Sequence, residues 1–213
     1  MHENGERSGE GFLRRLLFAV VLALTLSAVL ACKTPFSTRQ AEPPFTSRSR
    51  WIPPSQPTDV LENMKDAIAE EHIPNYLGCL SDSAQTGRPF VFVPEPGVAA
   101  NYGELFNTWS RASEKRYLDQ LFQATPRDSL RRLVFANVTE RPGEENERVL
   151  VADYVLDVHH TLDPASYPRH VEGQAQFWMI QDPKTSYWSI WKWRDSATGE
   201  HETWTALKAV FGR

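Results

Sequence analysis

Residues 148–162 read RVLVADYVLDVHHTL, and this stretch decides the fold class. Every second residue from Leu150 to Val158 is apolar, and the residues between them include Asp153 and Asp157. Alternation with a period of two is typical of a β-strand that buries one face and exposes the other. Such a strand has one apolar face that packs on the core and one polar face towards solvent.

The neighbouring segments supply partners for this strand. Residues 171–180 alternate in the same way, and residues 130–139 and 187–193 also read as strands. The rest of the domain pattern is mixed. It predicts helices that begin at Thr58 or Asp59 and at Pro74, a strand over 89–93, a helix over 110–123, and a short helix or strand edge over 203–211.

The N-terminus carries a different signal. Arg14 and Arg15 precede an unbroken apolar run over residues 16–31, and Cys32 follows directly. A basic start, a short apolar stretch and a small residue at the cleavage site are the parts of a secretory signal. The segment resembles a bacterial lipoprotein signal peptide with its lipobox, although Leu30 stands where that family commonly has a smaller residue.

The resemblance implies that Cys32 is acylated, becomes the mature N-terminus and holds the protein on a membrane of the bacterial cell envelope. Lys33 stands where an Asp would favour the inner membrane, so an outer membrane, on its periplasmic side, is favoured if the source has two membranes. A retained membrane helix is the alternative. However, residues 16–31 fall short of the roughly 20 apolar residues that span a bilayer.

Composition sets limits on the mature chain. Residues 32–57 are rich in Pro, Ser, Thr and Arg and are expected to form a disordered, extended tether. Residues 58–213 then suit one domain. Residues 1–31 contain three basic and three acidic residues, so the formal charge of −4 is unchanged by their removal. Nucleic-acid binding is disfavoured, because neutralising phosphates requires clustered Lys and Arg.

The second of the two cysteines has no partner if Cys32 carries lipid. Cys79 lies between the apolar residues Leu77 and Leu80. Such surroundings favour a buried, inert thiol over a reactive one.

The order of elements resembles a known superfamily. A short helix carries Asn75-Tyr76, a strand carries Phe90-Val91-Phe92, and the sheet ends in Trp188-x-Ile190-x-x-Trp193. This order is similar to the nuclear transport factor two-like, or SnoaL-like, superfamily. The resemblance implies an α+β cone, in which a curved antiparallel sheet packs on N-terminal helices and leaves a cavity at its open end. The superfamily includes isomerases, dehydratases, cyclases and non-enzymatic members, so the fold alone transfers no activity.

Candidate catalytic residues lie on or just after the central strand. Asp153 and His159 could form a His–carboxylate pair for general acid/base chemistry, and His160 could line a pocket. The favoured alternative places Asp153 and His159 on the solvated face of an amphipathic strand and His160 in the core or at its rim. No cofactor or metal is expected, because His159, His160 and His170 lack a ligand spacing.

Aromatic residues of the sheet are candidate ligand contacts. Strict alternation places Trp188 and Ile190 on one face of the last strand, and Trp191 and Trp193 on the other. Ordinary sheet packing is the favoured interpretation of these tryptophans, and a ligand surface is the alternative. The residues proposed as ligand contacts are Tyr154, Phe177, Trp188 and Trp193.

The sequence therefore predicts a lipid-anchored envelope protein whose domain binds a small apolar ligand or a protein partner and performs no catalysis. The alternative is a dehydratase, isomerase or cyclase that uses a His/Asp pair in the cavity. The interior of the cone distinguishes the two. A His and a carboxylate within hydrogen-bond reach would favour chemistry, and an apolar lining would oppose it.

Overall fold

The computed structural model describes residues 49–144 and 146–213. The predicted signal peptide, Cys32 and most of the predicted tether lie outside these residues. Within them, no helix is both long enough and apolar enough to cross a bilayer. The described elements, in chain order, are α1 (Pro57–Ala69), α2 (Ile73–Gly78), α3 (Ser83–Thr86), β1 (Val91–Val93), α4 (Pro96–Ala99), α5 (Arg111–Gln123), β2 (Arg131–Pro142), β3 (Glu147–Val158), β4 (His170–Gln181), β5 (Trp188–Ser196) and α6 (Trp204–Phe211).

Five strands form one sheet in the order β1-β5-β4-β3-β2. Strands β2 to β5 pair antiparallel, and the short β1 joins β5 in parallel. The register aligns Phe92, Trp193, Phe177 and Leu150 across four strands. This row of large side chains lies on the inner face. The predicted α+β class with a mainly antiparallel sheet is confirmed.

The inner face of the sheet shares its core with helices α1 and α5. In β3, the five residues that the alternating pattern assigns to this face, Leu150 to Val158, are at most 2% exposed. Met64 of α1 and Leu121 of α5 are fully buried in the same core. Burying one such side chain stabilises a domain by roughly 2 kcal/mol. The alternating pattern of the sequence therefore identifies which residues of β3 face the core.

A β-bulge in β5 changes which tryptophans face that core. The register skips Trp191, because Met179 pairs with Ile190 while Trp178 pairs with Lys192. The extra residue breaks the alternation, so Trp188, Ile190 and Trp193 are all buried and Trp191 is not. The prediction that Trp191 and Trp193 share a face is wrong, since strict alternation holds only in an unbroken strand.

The ends of two elements depend on local hydrogen bonds. Strand β3 ends at Val158, because the His160 N–H donates to the Val158 carbonyl oxygen at 3.1 Å and the chain turns there. The strand is therefore shorter than the predicted range that ends at residue 162. Residues 204–211 form helix α6, with Thr203 at its N-cap position, so the helix is the correct one of the two predicted alternatives.

The chain before α1 lies against the domain. The buried Asn63 side chain accepts from the Ile52 N–H at 2.8 Å and donates to the Ile52 carbonyl oxygen at 2.7 Å. The Trp188 N–H donates to the Pro54 carbonyl oxygen at 2.8 Å. The packed part of the chain therefore begins upstream of Thr58, within the segment that composition alone assigns to the tether.

Candidate functional site

Helix α6 lies in the interior, in contact with α4, α5 and β4. All of its residues except Val210 are buried. A helix that is buried on every side belongs to a core rather than to a surface. The Trp204 ring packs 4.7 Å from the Trp193 ring and 5.4 Å from the Tyr154 ring, measured between centroids. The chain itself therefore fills the space that the inner face of the sheet encloses.

The Lys208 ammonium group lies among aromatic rings in this interior and has no exposed surface. Its Nζ is 4.0 Å from the ring centroid of Trp193 and 4.4 Å from that of Phe92. Aromatic faces attract a cation in such positions. Burial lowers the pKa of Lys208 to about 8, and the nearby Glu114 carboxylate limits the decrease. Three more rings surround the ammonium group at 5.4 to 5.8 Å, those of Tyr117, Trp109 and Trp204.

Glu114 is the counterion of Lys208 and is equally buried. Its Oε1 accepts from the Lys208 ammonium group and from Trp109 Nε1, the latter at 2.7 Å. Its Oε2 accepts from the Tyr76 hydroxyl at 3.1 Å. Burial raises the pKa of Tyr76, and the charge of Glu114 raises it further, so the hydroxyl remains a donor. Both carboxylate oxygens are occupied, which makes Glu114 a structural acceptor rather than an accessible base.

A second buried carboxylate, Asp195, holds the start of α6. Its Oδ2 accepts from the Thr205 N–H at 2.7 Å and from the Thr205 hydroxyl at 2.6 Å. Its Oδ1 accepts from the Tyr154 hydroxyl at 2.7 Å, and that hydroxyl accepts from the Trp204 N–H at 2.8 Å. Because a helix N-terminus attracts negative charge, Asp195 fixes α6 to the inner face of β5.

Displacing α6 would cost about as much as unfolding the domain. Trp204, Leu207 and Phe211 are all at most 2% exposed. Burial of such side chains contributes roughly 2–3 kcal/mol each, hence about 8 kcal/mol together. Whole domains are stable by only about 5–15 kcal/mol. Helix α6 is therefore a permanent part of the core and not a lid.

An aromatic cleft of about 260 Å³ lies on the surface beside the start of β5. Trp51 and Tyr187 form its walls and are 36% and 43% exposed, whereas Trp188 is 8% exposed. The Trp51 ring covers Gly78, where a Cβ atom would lie only 2.9 Å from the ring. A glycine at this position therefore lets the ring lie on α2. Other side chains that line the cleft are Pro54, Leu80, Gln85 and Arg111.

Comparison with known proteins identifies the fold. No protein-family model matches the chain, and no curated protein matches it. A solved structure from Novosphingobium aromaticivorans, provisionally named a scytalone dehydratase, is 10% identical, with a TM-score of 0.51 over 68% of this chain and 88% of that chain. The chain has the nuclear transport factor two-like fold.

Two further solved structures also match. One is a nuclear transport factor two-like protein of unknown function in nutrient uptake from Rhodospirillum rubrum, 12% identical, with a TM-score of 0.47 over 68% of this chain and 99% of that chain. The other is ActVI-ORFA from Streptomyces coelicolor, 9% identical, with a TM-score of 0.46 over 65% and 91%. Similarity at identities this low transfers no activity to this chain.

In this nuclear transport factor two-like cone, three of the four predicted ligand contacts lie in the core. Tyr154, Phe177 and Trp193 are at most 2% exposed. Phe177 packs 5.2 Å from Trp193, which in turn contacts Trp204 of α6. Trp188 is the remaining one of the four, and it lines the aromatic cleft.

The structure does not bring Asp153 and His159 together. Hydrogen bonds from Asn137 and Gln174, at 2.8 and 3.0 Å, hold the pKa of Asp153 below its ordinary value. His159 is exposed just beyond the end of β3. Six residues along an extended chain span roughly 20 Å, so these two side chains cannot share a proton.

His160 is a core histidine. It is 1% exposed, and its ring packs 5.3 Å from that of Phe211 and 6.3 Å from that of Tyr167. Its Nε2 is 3.2 Å from the Pro168 carbonyl oxygen. Burial lowers the pKa of His160. Among the described residues, no carboxylate is hydrogen-bonded to this ring, so the pair needed for acid/base chemistry does not form around it.

A His–carboxylate pair does occur, but on the outer face of the sheet. His170 Nδ1 is 2.7 Å from Asp157 Oδ1, and Arg132 contacts the other oxygen of Asp157 at 3.0 Å. The bond to Asp157 raises the pKa of His170. Burial raises the pKa of Asp157, but bonds from His170 and Arg132 outweigh this effect and lower it. The network is an ion-pair cluster on a solvated surface.

Metal binding finds no support in the described part of the chain. There, no three His, Cys, Asp or Glu side chains are grouped so that they could hold a metal ion.

Cys79 is 1% exposed, and burial raises the pKa of its thiol. The prediction of a buried Cys79 thiol is confirmed.

Sequence reasoning missed the buried charges at the centre of the cone, although two of them leave a signal. Glu114 follows the helical spacing of Tyr117, Leu118 and Leu121 and therefore lies on the apolar stripe of α5. Lys208 is the single charged residue of helix α6, whose other residues except Thr205 are apolar. A charged residue on an apolar face indicates a buried partner of opposite charge.

Proposed function

We propose that this protein is a lipid-anchored component of the bacterial cell envelope whose domain binds a protein partner and catalyses no reaction in its interior. The observation that carries the proposal is the filled cone. Trp204 and Lys208 of α6 occupy the space in which a substrate or an apolar ligand would sit. Glu114 and Asp195 are fully engaged in holding that helix.

The partner is proposed to bind in the aromatic cleft. Trp and Tyr dominate the energetics of protein interfaces, because they bury much apolar area and retain a polar edge. The chain's own extended segment forms part of the cleft wall, where the Pro54 carbonyl oxygen accepts a hydrogen bond from the Trp188 N–H. An aromatic-lined groove is the kind of surface that binds an extended, proline-containing segment of a partner.

Site-specific photocrosslinking in the producing bacterium tests the partner. Tyr187 is replaced by a benzophenone amino acid in the full chain, and Leu130, which is similarly exposed at 45%, is the control position. One defined protein adduct is expected from position 187 and not from position 130. Adducts that are absent, or the same at both positions, would overturn the proposed site.

A second pair of variants tests the energetics of the cleft. Trp51→Ala should reduce the adduct from position 187 about thirtyfold, because an interface tryptophan typically contributes about 2 kcal/mol to binding. Ile52→Ala is the matched control, since Ile52 is 45% exposed and does not line the cleft. Equal loss in both variants would show that the segment, and not the aromatic cleft, binds the partner.

The anchor is tested by intact-mass measurement of the protein isolated from membranes. The expected species begins at Cys32 and carries acyl chains, and Cys32→Ser should leave the chain without lipid. A mature chain that begins elsewhere, or that carries no lipid, would contradict the anchor.

A further inference from the structure

The outer face of the sheet carries a cluster of alternating aromatic and cationic side chains. Lys192 Nζ lies 4.6 Å from the Trp178 ring centroid, and the Arg194 guanidinium carbon lies 5.5 Å from the same ring. The Arg88 guanidinium carbon lies 4.8 Å from the Trp191 ring centroid. We call these five residues the Trp–cation patch.

The fold builds this patch from neighbouring strands. Trp178 of β4 is the cross-strand partner of Lys192 in β5, so the two side chains share one face. The β-bulge in β5 turns Trp191 away from the core and places it beside Lys192. Both tryptophans are partly exposed, and helices α1, α5 and α6 share the core on the opposite face of the sheet.

The charge of the patch is incompletely neutralised. Arg88 forms an ion pair with Glu147. Among the described residues, no carboxylate forms an ion pair with Lys192 or Arg194. By contrast, Arg132 on the same face of the sheet is paired with Asp157. The chain as a whole carries a formal charge of −4, so these two unpaired cations are a local feature that composition does not explain.

We infer that the Trp–cation patch rests on the anionic surface of the membrane that holds the lipid anchor. Trp with Lys or Arg is the combination that favours a membrane–water interface, because the ring occupies the headgroup region while the cation remains solvated beside lipid phosphate. Each cation near an anionic bilayer increases surface binding about fivefold, so Lys192 and Arg194 together supply about 25-fold.

The anchor makes this modest affinity sufficient, and in this respect the inference rests on the function proposed above. Positions 32 and 49 are 17 residues apart, a reach of at most roughly 60 Å. A domain of this size is roughly 40 Å across, so any of its faces can meet the bilayer. The anchor also holds the domain at a high effective concentration near the lipid. The patch then decides which face turns towards the membrane.

The test uses the full, lipidated chain with an environment-sensitive fluorophore on Gln176→Cys, whose cross-strand partner is Arg194. The buried Cys79 and the acylated Cys32 do not compete for the label. The protein is reconstituted into vesicles of phosphatidylcholine with or without phosphatidylglycerol. A label at Ala112→Cys, which is exposed on helix α5, is the control position. Co-flotation with the vesicles reports anchoring separately.

We expect the label at position 176, and not at position 112, to show blue-shifted emission only on anionic vesicles and to lose the shift in high salt. Lys192→Gln/Arg194→Gln should lower the membrane-apposed fraction relative to the free fraction about 25-fold. Arg132→Gln/Lys115→Gln removes the same charge from paired cations and should leave the shift unchanged.

Three outcomes would overturn the inference. One is an unshifted label on anionic vesicles with which the protein co-floats. Another is an equal loss of the blue shift in Lys192→Gln/Arg194→Gln and in Arg132→Gln/Lys115→Gln. The third is the same shift with dissolved polyglutamate and no anionic lipid, which would assign the patch to an acidic protein instead. Failure of co-flotation, by contrast, would refute the anchor.

Discussion

Raising the pH should stabilise the domain through Lys208, and a variant that lacks this lysine separates the effect from that of Cys79. Burial lowers the pKa of Lys208 to about 8 in the folded state, whereas an unfolded lysine titrates near pH 10.4. Between these values the unfolded chain holds a proton that the folded chain has released. The free energy of unfolding must therefore rise with pH in this window. The increment is complete above about pH 10.4 and is lost as the pH falls through 8.

The magnitude follows from the linkage relation. One pKa unit corresponds to about 1.4 kcal/mol, so the contribution of Lys208 should grow by about 2 kcal/mol between pH 7.5 and 9.5. Cys79 has the opposite effect, since burial raises its thiol pKa in the fold while the unfolded thiol ionises near pH 8.5. The variant Lys208→Met retains Cys79 and the approximate side-chain volume, so the difference between the two proteins isolates Lys208.

Urea unfolding monitored by tryptophan fluorescence provides the assay. The free energy of unfolding of the wild type minus that of Lys208→Met should increase by about 2 kcal/mol from pH 7.5 to 9.5. In Glu114→Gln the increase should begin at lower pH, because the carboxylate holds the pKa of Lys208 up. A difference between wild type and Lys208→Met that stays constant over this range would refute the buried, titrating ammonium group.

Three further predictions concern single groups. Asp195→Ala should lower the free energy of unfolding by about 3 kcal/mol, because three buried donors lose their acceptor. The control Asp163→Ala, in an exposed loop, should lower it by about 0.5 kcal/mol or less. Urea unfolding measures both values. Asp157→Asn should lower the pKa of His170 towards its ordinary value, since the bond to Asp157 raises it. NMR titration of the imidazole protons measures this pKa, and an unchanged value would contradict the prediction. The Cys79 thiol should react with a thiol reagent only after denaturant is added, because it is 1% exposed and its pKa is raised; rapid labelling of the native protein would contradict this.

Much of the sheet could be predicted, because burial of one face imposes a period of two. The inward residues of β3, from Leu150 to Val158, follow that pattern without interruption and are all buried. The same logic failed in β5, where one extra residue at Trp191 shifts the alternation. A bulge is specified by the pairing of two strands and not by either strand alone. Its position was therefore not readable from the sequence.

The candidate site was harder to predict than the fold. The alternating pattern places Asp153 and His159 on the same face of one strand, but the two residues lie roughly 20 Å apart along an extended chain. The carboxylates that organise the interior, Glu114 and Asp195, come from a helix and a strand that are far apart in sequence. Their partners Lys208 and Thr205 belong to yet another helix. Contacts between distant segments depend on how the elements pack, and a periodicity within one segment carries no information about them.

The sequence by itself determined the α+β class, the inner face of the central strands, the buried Cys79 thiol and the expectation of a lipid anchor at Cys32. Each of these depends on local chemistry, namely a periodicity or a short apolar run. The tertiary structure alone decided that α6 fills the cone, that Lys208 and Glu114 meet there, and that Trp191 lies beside Lys192 on the outer face. These features depend on pairwise contacts across the whole chain. Packing, rather than local pattern, therefore decides which side chains lie in the core and which remain on the surface.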